Sequence, residues 1–389
     1  MTTAERYRSY RGAPVFAMGF RPFFLFGAAF AACALPLWII GFHGWIPGVN
    51  RDWHVHEMLF GYLAAVIAGF LLTAVPNWTG RLPVAGAPLA ALFSLWCAGR
   101  LVMLLGAGTL LAAVIDTAFL FALAGIIARE VIAAGNKRNL AVCALVLILA
   151  GANVLTHLRS LDPALGLLGE RLALGVIAML VALIGGRITP SFTRNWMAKQ
   201  KLAPEPASPG LFDIVALIAT AAALGAWVIA PNSPAAGAAL VVAGVLTLAR
   251  LSRWKGWRTA AEPLVIILHT GYLWLGVAFL LLGGSALAPQ WIAGVAGIHA
   301  LTAGAFGVMT LAVMTRASRG HTGQSLSAGA GTQAIYVLVN LGALLRVASP
   351  FFADAYLVLI IASAIAWSAA FAGFVIAYAP LLLHARRGA

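Results

Sequence analysis

Twelve stretches of mainly apolar residues follow one another along this chain. They run at about 20–42, 57–78, 86–106, 109–133, 138–158, 170–187, 211–230, 234–252, 262–284, 290–315, 331–349 and 352–383. A helix rises about 1.5 Å per residue, so each is long enough to cross the roughly 30 Å hydrocarbon core of a bilayer. In that solvent every backbone polar group must be paired within the chain, which leaves helices or a closed barrel. Barrel strands are short and alternate in polarity, and these segments do neither. The expected fold is an all-α integral membrane protein of about 12 transmembrane helices. The last segment exceeds the span it needs, which predicts a tilt or kink.

Composition agrees. Only 9% of the 389 residues are charged, 62% are hydrophobic, and mean hydropathy is +0.96. That is too little polar surface to clothe a soluble globule, so soluble enzymes, nucleic-acid binders and disordered chains are excluded. The net charge of +14 reads as topology instead. With the N-terminus cytoplasmic, 20 Lys and Arg fall on that side and five on the other: Arg51, Arg100, Arg159, Arg171 and Arg346. This split places both termini in the cytoplasm. The basic N-terminal region, with Arg6, Arg8, Arg11 and Arg21, gives no sign of a cleavable leader. Cys33, Cys97 and Cys143 lie in apolar runs without CxxC spacing, so neither a disulfide framework nor a thiolate zinc site is expected.

The chain reads as one polytopic domain, 1–389, made of two six-helix halves. The polar stretch 188–210, with Lys199, Lys201, Pro204, Pro206 and Pro209, serves as the linker. The halves show no convincing repeat beyond a faint echo between His56-Glu-Met-Leu-Phe-Gly61 and His299-Ala-Leu-Thr-Ala-Gly304.

Ionisable groups at membrane depth are functional candidates by default, so the histidines carry the argument. His54 and His56 flank Val55 in Trp53-His-Val-His-Glu57. Residues i and i+2 point to different helix faces, so the pair converges on one metal only in extended or cap geometry. Glu57 is then a supporting partner or a proton carrier, and the alternative is an interfacial cap. His157 lies near the end of the fifth segment, where it either completes that site or snorkels to the interface. His269 and His299 are the deepest, with depths that differ by perhaps ~8 Å at the helical rise. On neighbouring antiparallel helices they are candidates to flank a haem, or to place copper beside one, against a plain inter-helix hydrogen bond. His321 falls in a loop after the tenth segment, and His43 and His384 sit at helix ends. Arg100, Arg159, Arg171 and Arg346 are expected at one membrane level, where guanidinium groups bind carboxylates such as haem propionates or snorkel to headgroups. Gly185-Gly-Arg-Ile-Thr-Pro-Ser-Phe-Thr-Arg-Asn195 combines a packing or break signal with groups suited to an anion, a proton entry or simple capping.

Gly19-Phe-Arg-Pro-Phe-Phe-Leu25, Trp53-His-Val-His-Glu57, Gly69-Phe-Leu-Leu-Thr-Ala-Val-Pro-Asn-Trp-Thr-Gly80, Gly186-Arg-Ile-Thr-Pro-Ser-Phe-Thr-Arg-Asn195 and Met314-Thr-Arg-Ala-Ser-Arg-Gly-His-Thr-Gly323 together resemble the NnrS family over nearly the whole chain. The resemblance implies a twelve-helix protein of the bacterial inner membrane that carries haem b and copper. It also implies a role in nitric oxide metabolism during denitrification or nitrosative stress. The candidate metal ligands are then His54, His56, His157, His269, His299 and His321.

Three functions are open. The first is a nitric oxide reductase, with Glu57 and His299 as its catalytic candidates. Asp116 is the only acid well inside a segment, while Glu130, Glu170 and Glu262 sit at ends, which argues against a proton pump. The second is a protein that binds nitric oxide or protects against nitrosative stress without turnover. The third is a transporter of haem, metal or a small anion. No CxxCH is present, so electrons for turnover would come from quinol or a separate carrier.

Overall fold

The computed structural model describes residues 10–385 except 107 and 204. Arg6, Arg8, Pro204, Arg386 and Arg387 therefore lie outside the described residues. The fold is all-helical among the described residues, and twelve helices are long and apolar enough to span a membrane. They are α1 (Phe20–Phe42), α2 (Arg51–Thr79), α3 (Ala87–Gly106), α4 (Leu110–Ala133), α5 (Lys137–Ser160), α6 (Pro163–Lys199), α7 (Leu211–Ile229), α8 (Pro234–Ser252), α9 (Pro263–Leu287), α10 (Gly294–His321), α11 (Ala330–Phe351) and α12 (Ala353–Leu383).

Three helices start or run beyond their apolar cores, and the differences matter. The second begins at Arg51, because Asn50 caps it by accepting a hydrogen bond from Trp53 N at 3.0 Å. The Trp53–Glu57 motif is therefore helical. The sixth runs to Lys199, so 188–199 continues a helix, and only the residues after it form a non-helical connection to Leu211. Pro190 is accommodated inside that helix. His321 ends α10 as a helical residue rather than lying in a loop.

The chain divides into two compact units. The first comprises the residues up to Val176, Met314–Ser325 and those from Phe371 on; the second comprises Ile177–Val313 and Leu326–Ala370.

Among the described residues three helices contain a π-helical segment: Glu57–Leu63 in α2, Val181–Gly185 in α6 and Ala300–Phe306 in α10. A π turn interrupts the i→i−4 ladder and is found at functional sites. In each segment a side-chain donor takes a backbone carbonyl. Trp96 Nε1 donates to Gly61 O at 3.0 Å, an Arg250 Nη donates to Ala182 O at 3.0 Å, and Trp367 Nε1 donates to Ala303 O at 3.4 Å.

The helices α2 and α10 share one plan. Each opens with a six-residue α-helix ending in histidine, at Arg51–His56 and Gly294–His299. A seven-residue π segment follows. Glycines with positive φ lie just past the two helices, Gly80 at 69° and Gly323 at 77°. One constant sequence separation divides His56 from His299, Gly61 from Gly304, Gly80 from Gly323 and the first residue of α3 from that of α11. It also relates packing contacts. Gly41 abuts Val49 where Gly284 abuts Ile292, and Gly99 faces α4 where Gly342 faces α12. The faint sequence echo therefore belongs to a repeated structural module, α1–α4 and α9–α12.

Candidate metal centre

Four consecutive helices of the first unit each send one polar side chain to a common point: His56 from α2, Arg100 from α3, Asp116 from α4 and His157 from α5. Gly99 makes room for the last turn of approach, since its Cα faces Asp116 with a β-carbon position only 3.3 Å from Oδ1. Glu57 and Asn153 complete the group. All are buried or nearly so; Asp116 and Glu57 are each 1% exposed.

The hydrogen bonds divide the work between oxygens. Arg100 donates to Glu57 Oε1 at 2.5 Å and, through its other terminal nitrogen, to Asp116 Oδ1. Asp116 Oδ2 then faces His157 Nε2 at 3.0 Å, His56 Nε2 at 3.2 Å and the Asn153 amide at 2.8 Å. His56 Nε2 also lies 3.0 Å from Asn153 Oδ1, and its Nδ1 lies 2.9 Å from Glu57 Oε1. Glu57 Oε2 is buried with no hydrogen-bond partner.

Donor atoms of His56, Asp116 and His157 all lie within 4.8 Å of one another. Tetrahedral coordination with bonds of 2.0–2.1 Å sets donors about 3.3 Å apart. The observed 3.0 and 3.2 Å between the carboxylate and the two imidazoles are close to that, and the imidazole donors lie within 4.8 Å of each other. Two imidazoles and a carboxylate suit copper, zinc or iron. Two carboxylates face one guanidinium, and the remaining negative charge can be offset by a proton on an imidazole or by a metal cation.

The other sequence candidates fall elsewhere. In helical geometry His54 and His56 point to different faces, and His54 stacks on Trp38 at 4.8 Å instead of joining the cluster. His321 packs against Phe20 at 5.5 Å. The structure does not bring His269 and His299 together. Gly297 packs against Leu282, Gly304 against Trp274 and Gly271 against Met309, a register that sets the two histidines about 11 residues, or ~16 Å, apart along the helices. The His269 ring has one partnered nitrogen, and its Nδ1 is buried without a hydrogen-bond partner. Nε2 hydrogen-bonds Thr193 Oγ1 at 2.8 Å, and the Nδ1 edge lies directly against Gly256. His299 Nδ1 lies 2.8 Å from Val295 O, which fixes Nε2 as its lone-pair nitrogen.

The arginines expected to meet haem propionates meet the protein's own groups. Arg100 holds Glu57 and Asp116, Arg159 holds Glu170, and Arg346 donates to Ser349 Oγ at 2.9 Å. Arg171 is half-buried beside Glu170 in sequence. The residue that sequence reasoning underweighted is Asp116, the centre of the cluster; its signal was its place as the lone acid deep in a helix. Asn153 had no comparable signal.

A family model described as NnrS protein matches residues 14–386. A comparison with curated proteins gives no match. The family match covers nearly the whole chain, and the protein belongs to the NnrS family.

Proposed function

We propose that this NnrS-family membrane protein binds a metal at His56, Asp116 and His157 and acts there on nitric oxide, as a reductase that turns 2 NO, two electrons and two protons into N2O and water. The observation that carries the reading is the convergence of two imidazoles and one carboxylate, buried inside the helical bundle and drawn from three of its membrane-spanning helices. Such groups are costly unless used or fully compensated. The link to nitric oxide, and to haem and copper, comes from the family.

Copper fits the nitrogen and oxygen donors of this trio. Haem iron fits His299, whose Nδ1 contact with a backbone carbonyl is the arrangement that presents Nε2 to a metal. At His269 the nitrogen without a hydrogen-bond partner is Nδ1, which lies against Gly256, so a metal there would have to displace that backbone. A bound metal would supply a place for nitric oxide and a route for electrons from quinol or another carrier.

The chain's own residues do the rest. Arg100 holds Glu57 and Asp116 as a fixed pair of charges, so the Asp116 oxygen facing both imidazoles keeps its direction. Asn153 orients His56 and Asp116 together. Glu57 Oε2 is the unpartnered oxygen, the atom at which a proton can be held and passed on. Phe60, whose ring lies 5.1 Å from His56, belongs to the apolar wall that limits water. The basic-residue split sets the His56 end of the bundle on the periplasmic side of the bacterial inner membrane, with both termini in the cytoplasm.

One observation favours the binding-only alternative: both carboxylates of the cluster are already tied to Arg100, which suits a static trap better than a proton path. Anaerobic nitric oxide consumption by purified, metal-loaded protein with a quinol reductant separates the two. N2O at half the nitric oxide lost, abolished by His56→Ala, supports the reductase. A nitric-oxide-dependent spectral shift without N2O supports binding alone. Protein that takes up neither metal nor haem contradicts both and leaves the transporter reading.

A further inference from the structure

Beyond the cluster, a second set of charged groups joins the helix ends that carry its two imidazoles. Arg51 opens α2 five residues before His56. Arg159 follows His157 by two residues at the end of α5. Glu170 of α6 is 6% exposed and accepts from both. Arg51 grips it with two terminal nitrogens, at 2.8 Å to Oε1 and 2.7 Å to Oε2, and Arg159 bonds Oε1. Asp52 closes the ring, 2.9 Å from Arg51 and 3.4 Å from Arg159. Close packing fixes where Glu170 stands: a β-carbon on Gly169 would lie 2.7 Å from Ala152 O and 2.8 Å from Thr156 N.

Two arginines and two carboxylates balance, so this group has no excess charge with which to attract an outside anion. Its geometry has a different consequence. One carboxylate is bound at once to the helix that carries His56 and to the turn that follows His157. The separation of those helix ends sets the separation of the imidazoles.

The geometry points to Glu170, clamped by Arg51 and Arg159, as a positioning residue that sets the spacing of His56 and His157 and so governs how tightly their metal is kept. This rests on the reading of His56, Asp116 and His157 as metal ligands. Groups that orient metal ligands without touching the metal typically change affinity by about 10–100-fold when removed.

The test uses purified full-length protein loaded with Cu(I), with release followed into a colorimetric Cu(I) chelator. Glu170→Gln and Arg51→Gln should keep one copper per chain and release it about 10–100 times faster than wild type. Higher ionic strength should speed release from wild type, because the Arg51 side chain is half-exposed, and leave Glu170→Gln unchanged. A purely structural role would lower the melting temperature without that loss of salt response. If Glu170→Gln does not fold, Arg51→Gln breaks the same bidentate pair from its half-exposed side. His56→Ala separates the two layers. If it binds copper as wild type does, the metal-site reading fails. If it abolishes binding while both clamp variants release copper at the wild-type rate, the clamp fails and the site stands.

Discussion

The helices α2 and α10 share a backbone plan and differ in chemistry. Both carry a histidine immediately before a seven-residue π segment. In α2 the next residue is Glu57; in α10 it is Ala300. The position of Arg100 in the first module corresponds to Ala343 in the second, and Gly99 faces Asp116 where Gly342 faces Trp367. The indole of Trp367 serves the π segment itself by donating to Ala303 O. In the first module that task falls to Trp96 on α3, which leaves the α4 position open to Asp116. One scaffold thus supports a polar, metal-competent set of side chains in one module and alanines at the positions matching Glu57 and Arg100 in the other. The backbone supplies the opening; the side chains decide what is done there.

The largest expected effect comes from Arg100→Leu, which strips the guanidinium from two buried carboxylates. Breaking a buried ion pair in this way costs about 3–5 kcal/mol. Thermal unfolding in detergent should show it, and added copper should recover part of it, because a cation again faces Glu57 and Asp116. Trp367→Ala in the second unit should cost a similar ~3–5 kcal/mol from the cavity it leaves, but copper should recover none of it. Equal rescue of both variants would break the comparison.

The next effect is confined to ligands. His157→Ala should abolish copper retention, while His269→Ala should leave it intact, since His269 bonds Thr193 in the second unit. His299→Ala should change a haem spectrum and spare the copper, which tests whether the two histidines that precede π segments serve different metals. The smallest effect is the loss of one indole hydrogen bond. Trp96→Phe should cost about 1 kcal/mol by freeing Gly61 O, and Trp367→Phe less, because its bond is longer, 3.4 Å against 3.0 Å.

Much of the fold was legible from residue order alone. Run length and hydropathy located all twelve helices, because a bilayer permits few alternatives. Their ends were less clear: Arg51–His56 is mostly charged or polar, and it is helical because Asn50 caps it. Part of the site was legible too. His56, His157 and Glu57 stood out as ionisable residues in apolar company, and Asp116 as a lone deep acid. Their convergence was not legible, since it depends on rotation and register among α2, α4 and α5. The same limit separated His269 from His299: an antiparallel pair can bring two depths together only in one register, and the glycine contacts select another. Arg100 and Arg159 were visible as cations near one level, but their partners proved to be internal carboxylates, set by packing rather than by sequence distance. The repeat was nearly invisible because it survives in glycines and π segments, which leave few identities behind.

The most direct test of a one-sided metal centre is copper stoichiometry after reconstitution of wild type and Asp116→Asn, which keeps the shape of the central side chain and removes its charge. One tightly held copper in wild type, absent in Asp116→Asn while that variant still unfolds cooperatively, is the expected result. Copper held equally by both proteins would contradict the assignment of the site to His56, Asp116 and His157.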